Sequence, residues 1–502
     1  RLIRFRELDG RLREDVACRI ASEVCTRPIP AGTYGTRVAE RTEWALIEHV
    51  IDQTRPRIRP RALMARARGA LTALLPCFLM SPDSVARLLP RKTGLFDVVI
   101  MDEASQILPE EALGALARGR QAIIVGDRNQ LPPTTFFQRF ARSDEEEDED
   151  EDDPPAATGE SILEALSVLP SRRLTWHYRS RDPRLIAFSN HHFYHDSLIL
   201  FPTPGADASG SPIEHVPVEG VFVNRTNLAE AERIANIVRE HVRIRPKRSL
   251  GIVAMNVQQR DQIEAVLDAL EEEDQEFRFW RDAGEAGEEP LFVKNLENVQ
   301  GDERDVIIIS LTYGPTEPGG SVPQRFGPVN MAGGERRLNV LFTRAREKLI
   351  VVTSLRSSDI VAGPGSHRGV QILHDFLRYV ESGQLGTDWG TPSGRPPGSP
   401  FEEAVLEALA ARGWQCESQW GVSGYFIDIA VRHPEHPERF LAGIECDGAI
   451  WHSSRTARER DRLRQQVLES LGWKILRVWS TDWFRRPEAT LDALIMRLEL
   501  LL

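Results

Sequence analysis

No stretch of this 502-residue sequence approaches the length of a membrane span, and no signal peptide is visible at its start. A cytoplasmic protein is expected, not a membrane-bound one. Cysteine is scarce: Cys18, Cys25, Cys77, Cys416 and Cys446 are scattered, with no CxxC among them. That fits reduced, mostly packed thiols. Any string of the form GxxxxGK[ST] is missing as well; the nearest, Arg91-Lys92-Thr93-Gly94, has no glycine-rich loop to cradle phosphates. Surplus positive charge is also lacking, the net charge being −12, but residues 144–153 (DEEEDEDEDD) carry ten negative charges and the balance without them is −2. The acidity is local and reads as a solvated, disordered insertion, so it does not argue against nucleic acid as a partner. At this length one core is not enough, and three units are expected.

What is present centres on Val98-Val99-Ile100-Met101-Asp102-Glu103-Ala104-Ser105-Gln106. Four apolar residues run into two carboxylates, which reads as a strand buried on both faces of a parallel sheet. Ligands of such sheets bind beyond the carboxyl ends of the strands. Asp102 and Glu103 stand there and suit Mg²⁺ held beside a nucleotide, with the second carboxylate orienting a water. Acids also gather at helix N-termini, so the pair alone leaves both readings open. A second strand, Gln121–Val125, ends in Gly126-Asp127-Arg128-Asn129-Gln130-Leu131-Pro132-Pro133. Gly126 permits close backbone approach there.

DEASQ followed by GDRNQLPP resembles motifs II and III of superfamily 1 helicases, in the branch that moves 5′→3′ on DNA or RNA. The fold this implies is α/β, with RecA-like parallel-sheet domains of the P-loop NTPase kind. The remaining motifs follow in order. Leu174-Thr175-Trp176-His177-Tyr178-Arg179-Ser180 resembles the segment that opens the second RecA-like domain, and Arg179 takes the place of the arginine sent to the terminal phosphate. Asn298-Val299-Gln300-Gly301-Asp302-Glu303-Arg304-Asp305 matches the QGxExD motif, so Gln300, Gly301 and Glu303 inherit positions at the nucleotide cleft. Without that context a Gly-Asp turn between strands would read as a hairpin. Arg336–Arg346 resembles motif VI, with Arg344 as the arginine finger and Arg336 and Arg346 structural. Gly126 and Asp127 fall at the nucleotide, Gln130 among the residues that sense its terminal phosphate, and Asp102 and Glu103 on the Mg²⁺ and the attacking water. The family's phosphate loop lies far N-terminal to motif II, so with Arg1 at its start the chain is expected to be N-terminally truncated.

Local patterns fill in the rest. Residues 1–75 have helical spacing and many arginines, with Trp44, Ile47 and Ile51 on one face and Leu71, Leu74 and Leu75 on another. Residues 76–82 read as a strand leading to a loop, and by the resemblance Ser81 is a candidate phosphate contact. Ser161–Leu169 reads as a short helix. His177, His191, His192 and His195 have no carboxylate at ligand spacing, so no zinc site is expected. Leu250–Ala254 and Val306–Ser310 read as buried strands, Ile263, Val266, Leu267 and Leu270 as a helix face, and residues 314–334 as a loop.

The tail is a separate α/β module. Residues 381–400, rich in Gly, Pro and Ser, read as a linker. A helix from Phe401 to Arg412, strands at Tyr425–Val431, Leu441–Gly448 and Trp473–Trp479, and an amphipathic helix from Arg455 to Leu471 follow. Acids on a helix and on two strands can converge on a metal that activates water for phosphodiester cleavage. The module resembles the restriction-endonuclease-like PD-(D/E)xK superfamily, most of all the relatives of very-short-patch repair endonucleases. Glu402, Asp428, Glu445 and Asp447 fall on its acidic positions. Asp447 stands where the usual lysine would, and His452 or Gln465 could substitute for it. An inactive remnant that only binds nucleic acid is the alternative. The arginines at 455, 458, 460, 462 and 464 would grip phosphates either way.

The resulting domain division is 1–170 (first RecA-like domain, with the acidic run 143–157), 171–380 (second RecA-like domain), 381–400 (linker) and 401–502 (nuclease-like). The implied function is that of an ATP-dependent helicase or translocase with an appended metal-dependent nuclease, serving DNA repair or defence. It would use ATP and Mg²⁺ on nucleic acid, single-stranded DNA before RNA. The alternatives are a nicking module on an inactive RecA scaffold and a pure interaction protein.

Overall fold

The computed structural model describes residues 2–133, 160–205, 211–285, 287–382, 394–422, 424–447 and 463–502. The acidic run, His452, Arg455, Arg458, Arg460, Arg462 and residues 383–393 of the expected linker lie outside the described residues. Among the described residues two compact units emerge: those within 2–128, 132–133 and 160–171, and those within 129–131 and 172–502.

The first unit holds a parallel strand pair, β1 (Phe96–Met101) and β2 (Gly119–Ile124), joined through the helix Pro109–Leu116. β1 is not buried on both faces as its apolar run suggests: Val98 is 42% and Ile100 67% exposed. Among the described residues no third strand joins the pair, so the branched side chains of β1 and of Ile123 and Val125 lack a covering layer. Helices Glu43–Ile51 and Arg68–Leu74 pack through Leu46, Ile47, Ala67 and Ala70. Ile51, Leu74 and Leu75, grouped on helical faces by their spacing, are exposed, because the helices meet one turn away from them. Residues 76–81 form no strand; Ser81 instead caps the helix Pro82–Leu88, its hydroxyl accepting from the Ser84 amide at 3.2 Å. Ser161 and Glu164 form a capping box on the helix Ile162–Ala165, shorter than the expected 161–169.

In the second unit, the two-residue strands β3 (Trp176–His177) and β4 (Ile199–Leu200) pair in parallel. A five-stranded parallel sheet follows: β5 (Ile213–Pro217), β6 (Leu250–Ala254), β7 (Phe292–Asn295), β8 (Arg304–Ser310) and β9 (Ala345–Thr353). Its spatial order is β5-β9-β8-β6-β7. β6 is wholly buried, as its continuous apolar sequence requires, and helices cover both faces. Leu228–Ile244 and Val257–Glu273 pack on one side with Ile263, Leu267 and Leu270 inward; Gly334–Phe342 and Arg368–Ser382 pack on the other.

The C-terminal part of the same unit is a four-stranded sheet, β10 (Cys416–Val422), β11 (Tyr425–Arg432), β12 (Phe440–Asp447) and β13 (Ile475–Trp479), in that order. β10–β12 form an antiparallel meander and β13 runs parallel to β12, with Glu445 opposite Arg477. β10 went unread in the sequence because its mixed composition, CESQWGV, lacks an apolar period. Within the expected linker, the Arg395 amide donates to the Ser418 carbonyl at 2.9 Å, and Ser399 caps the helix Pro400–Ala411.

This sheet is docked on the preceding segment. Trp473, fully buried, donates its indole N–H to the Pro202 carbonyl at 2.8 Å. The Phe440 amide donates to Pro204 at 2.6 Å, and Gly205 bridges to Arg439. Phe201, Tyr425, Ile427, Phe440 and Trp473 share one apolar cluster, and Val422 joins the core of the five-stranded sheet. Of the five thiols only Cys446 is buried and Cys416 partly so; Cys18, Cys25 and Cys77 are exposed, against the packed thiols expected. Among the described residues no helix is long and apolar enough to cross a membrane.

Candidate functional site

In the first unit, Asp102 and Glu103 follow the last residue of β1 and are exposed. Glu103 takes a left-handed φ of 51°, rare for a residue with a side chain, and starts the turn Ala104–Gln106. Its amide donates to Asp102 Oδ1 at 3.0 Å, and Gln106 donates to its carboxylate at 3.3 Å. The Val125 carbonyl accepts from the Ala104 amide at 2.9 Å, which pulls the chain after β2 against this turn. Gly126 is required by that approach: a Cβ there would lie 3.1 and 3.2 Å from the amide nitrogens of Ser105 and Ala104. Asp102, Glu103, Gly126 and Asp127 therefore collect at one edge of the strand pair. Carboxylate oxygens are the donors Mg²⁺ prefers, and an exposed acidic pair leaves room for its waters.

In the second unit, Arg179 and Glu303 form an ion pair at 2.8 Å. Gln300 donates to the Gln130 side-chain carbonyl at 3.4 Å, and Lys294 holds Asp302 at 2.5 Å. Gly301 has φ 91°, and a Cβ would meet nothing within 4 Å, so backbone conformation and not crowding calls for glycine. Arg344 is buried between the helix Gly334–Phe342 and β9. Its Nε donates to the Val340 carbonyl at 2.8 Å and its Nη2 to the Thr343 hydroxyl at 3.0 Å. Arg346 pairs with Asp305 at 2.9 Å and Glu289 at 2.6 Å, a structural position. Two of the histidines have polar partners. His191 meets Asp196 at 2.9 Å, a carboxylate the spacing argument overlooked. His177 bonds Ser180 at 2.9 Å and is pushed down to about 4 by burial and then by Arg179. The sequence also gave no hint of Glu230, fully buried at the C-terminal ends of β8 and β9. Burial pushes its carboxyl up to about 7, against hydrogen bonds from Ser310, Thr312 and Ser354.

Two of the four expected acids in the C-terminal part, Glu402 and Asp428, share a hydrogen-bond partner. Asp428, on β11, accepts from the Cys446 amide at 2.7 Å. Glu402, at the start of its helix, accepts from the Gly398 amide at 2.8 Å and the Ser399 hydroxyl at 3.0 Å. Gln419 joins them: its amide nitrogen donates to Glu402 at 2.6 Å and to Asp428 at 3.1 Å. Its φ of 47° aims it there, and a glutamine within the polar run Glu417-Ser418-Gln419 gave no signal for this role. Glu445 is buried and accepts from the Tyr425 hydroxyl at 3.1 Å. Burial and then Glu445 push Asp428 up to about 8; burial also raises Glu445, opposed by Arg464 and Arg477. Asp447 lies elsewhere, in a buried pair with Arg477. Gln465 accepts from Arg477 at 3.3 Å and donates to Glu469 at 2.5 Å. The donor set of Glu402, Asp428 and Glu445 suits a hard divalent cation, and the raised protonation of Asp428 and Glu445 is what such a cation would relieve. Among the described residues no three of these groups yet converge on one point, since the Gln419 amide stands between Glu402 and Asp428.

Models of the AAA domain family match residues 84–138 and 159–356, and the restriction-endonuclease-like family REase_MTES_1575 matches residues 401–498. The chain is homologous to ATP-dependent helicases of superfamily 1. An uncharacterized ATP-dependent helicase of Mycoplasma pneumoniae is 31% identical over 84% of the chain, and its counterpart in Mycoplasma genitalium 32% over 83%. DNA-binding protein SMUBP-2 of Mesocricetus auratus is 23% identical over 61% of the chain and 29% of its own length. The chain spans 38% of the length of each Mycoplasma helicase. Both expected parts, the helicase-type domains and the restriction-endonuclease-like domain, are thus present in one polypeptide.

Proposed function

We propose that residues 1–380 work as an ATP-hydrolysing helicase or translocase on nucleic acid, single-stranded DNA foremost, and that residues 401–502 form a metal-dependent nuclease. The domain division is that expected from the sequence: 1–170, 171–380, a linker at 381–400, and 401–502. Asp102 would hold Mg²⁺ and Glu103 would orient the attacking water. Gln130 and Arg179 would sense the terminal phosphate, with Gly126, Asp127, Gln300, Gly301 and Glu303 around the nucleotide. Arg344 would turn from its helix to stabilise the transferring phosphoryl group, a contribution of roughly 10³–10⁵ in rate for arginine fingers. In the tail, Glu402, Asp428 and Glu445 would hold a divalent cation. When bound, that ion lowers the pKa of a water and shields the phosphate.

The adjacency of Asp102-Glu103 to Gly126 at the edge of two parallel strands supports the motor function most directly. Measured on the polypeptide as encoded, ATP hydrolysis stimulated by single-stranded nucleic acid should vanish in Glu103→Gln while nucleotide binding persists. Turnover unchanged by that substitution would remove the acidic pair from the chemistry.

A further inference from the structure

A cavity opens beside Glu445, walled by Tyr425, Arg464, Gln465 and Arg477. Two guanidiniums face it, and they are not equivalent. Arg477 is committed: its Nη1 lies 3.0 and 3.2 Å from the Asp447 oxygens and its Nε 3.3 Å from Gln465. Arg464 is held by a ring instead. Its guanidinium carbon lies 4.3 Å from the Tyr425 ring centroid. Among the described residues no carboxylate forms an ion pair with it.

Tyr425 fixes both partners at once. Its ring carries Arg464, and its hydroxyl donates to Glu445 at 3.1 Å. The ring is buried and packed on Phe201 at 5.0 Å, so it has little freedom to reorient. A cation is thus clamped at a set place beside a carboxylate, across a cavity.

Phosphodiester hydrolysis makes a demand that this arrangement meets. A water oxygen bonds to phosphorus, one P–O ester bond breaks, the water's proton passes to solvent, and the departing oxygen takes a proton from a second water. Negative charge builds on the non-bridging oxygens in between. A preorganised guanidinium stabilises that charge and pairs with two oxygens at once. We propose that Arg464, clamped by Tyr425 beside Glu445, is the cation that contacts the scissile phosphate. It would do the work for which position 447, an aspartate, has no lysine. The proposal rests on the nuclease function proposed above.

The test uses the whole chain with a duplex oligonucleotide and either Mg²⁺ or Mn²⁺. Arg464→Gln should lower kcat for nicking about a hundredfold while KM for DNA stays within about threefold. Arg464→Lys should recover activity to within about tenfold of the unsubstituted protein, because a cation is restored without the fork. Nicking by Arg464→Gln within about threefold of the unsubstituted rate overturns the role of Arg464 and leaves the nuclease standing. So does a change confined to KM, which would make Arg464 a general phosphate grip. No rescue by lysine, together with a lowered melting temperature in both variants, overturns it in favour of a structural residue. No metal-dependent nicking by the unsubstituted chain overturns the nuclease function, and this proposal with it.

Discussion

Arg477 and Asp447 form a buried ion pair, Nη1 to Oδ2 at 3.0 Å, with side chains only 9% and 3% exposed. The parallel pairing of β12 and β13 sets Arg477 opposite Glu445, two residues from Asp447 on the same face, so the pair is a product of register. Removing one member of such a pair strands the other charge, and Arg477→Ala should cost about 3–5 kcal/mol. Replacing both by apolar residues of like volume should recover most of that loss. Urea unfolding of the single and double variants checks it, and equal losses in single and double variants would contradict it.

Metal binding in the tail should be strongly pH-dependent. Asp428 is held protonated up to about pH 8, against an ordinary value of 3.8. Because the folded state binds its proton more tightly than the unfolded chain, the metal-free protein loses stability as pH rises from about 4 to about 8. A cation must displace that proton, so affinity for Mn²⁺ should rise about tenfold per pH unit below 8 and level off above it. In chelator above pH 8, Asp428→Asn should melt higher than the unsubstituted protein. Calorimetric titration across pH gives the first result and thermal melts the second; affinity flat with pH would show an ordinary aspartate.

Glu230 should be worth more to stability than its single side chain suggests. It accepts from Ser310 at 2.6 Å, Thr312 at 2.8 Å, Ser354 at 2.9 Å and Asn227 at 3.3 Å. Each buried donor left alone costs about 1–3 kcal/mol, with overlap between them, so Glu230→Ala should lose about 3–5 kcal/mol. Glu230→Gln keeps one acceptor oxygen and should lose clearly less. Its folded value of about 7 lies above its ordinary 4.5, so the unsubstituted protein should weaken between those two pH values, a slope that Gln removes. A Gln variant with the same slope would place the titrating group elsewhere.

The Arg179–Glu303 pair separates structure from function by magnitude. Both side chains are about a third or more exposed, so the pair should contribute under about 1 kcal/mol. Arg179→Ala should therefore leave melting nearly unchanged while abolishing nucleic-acid-stimulated ATP hydrolysis by the encoded polypeptide. A large melting shift with turnover intact would make Arg179 a structural residue.

What the sequence revealed follows the range of the interactions concerned. β6 and β8 were legible because a strand covered on both faces must be apolar throughout, a purely local signal. The exposure of Ile100 was not, because burial depends on which elements lie alongside. Asp102 and Glu103 were legible as the end of β1, and Gly126 as a close approach. Asp447 and Arg477 are thirty residues apart, and only the β12–β13 register tells that the acid meets a cation. Gln419 was invisible for a related reason: its amide reaches the carboxylates through a left-handed φ that no composition implies.

Trp473, seated on the Pro202 carbonyl, makes the tail more than a passenger. A protease cut between Ser382 and Gly394 would sever the covalent connection but leave the indole, the Phe440–Pro204 bond and the shared apolar cluster in place. The two fragments should co-elute on gel filtration as one nicked particle. High dilution, not hydrolysis of the connecting peptide, would be needed to part the two fragments.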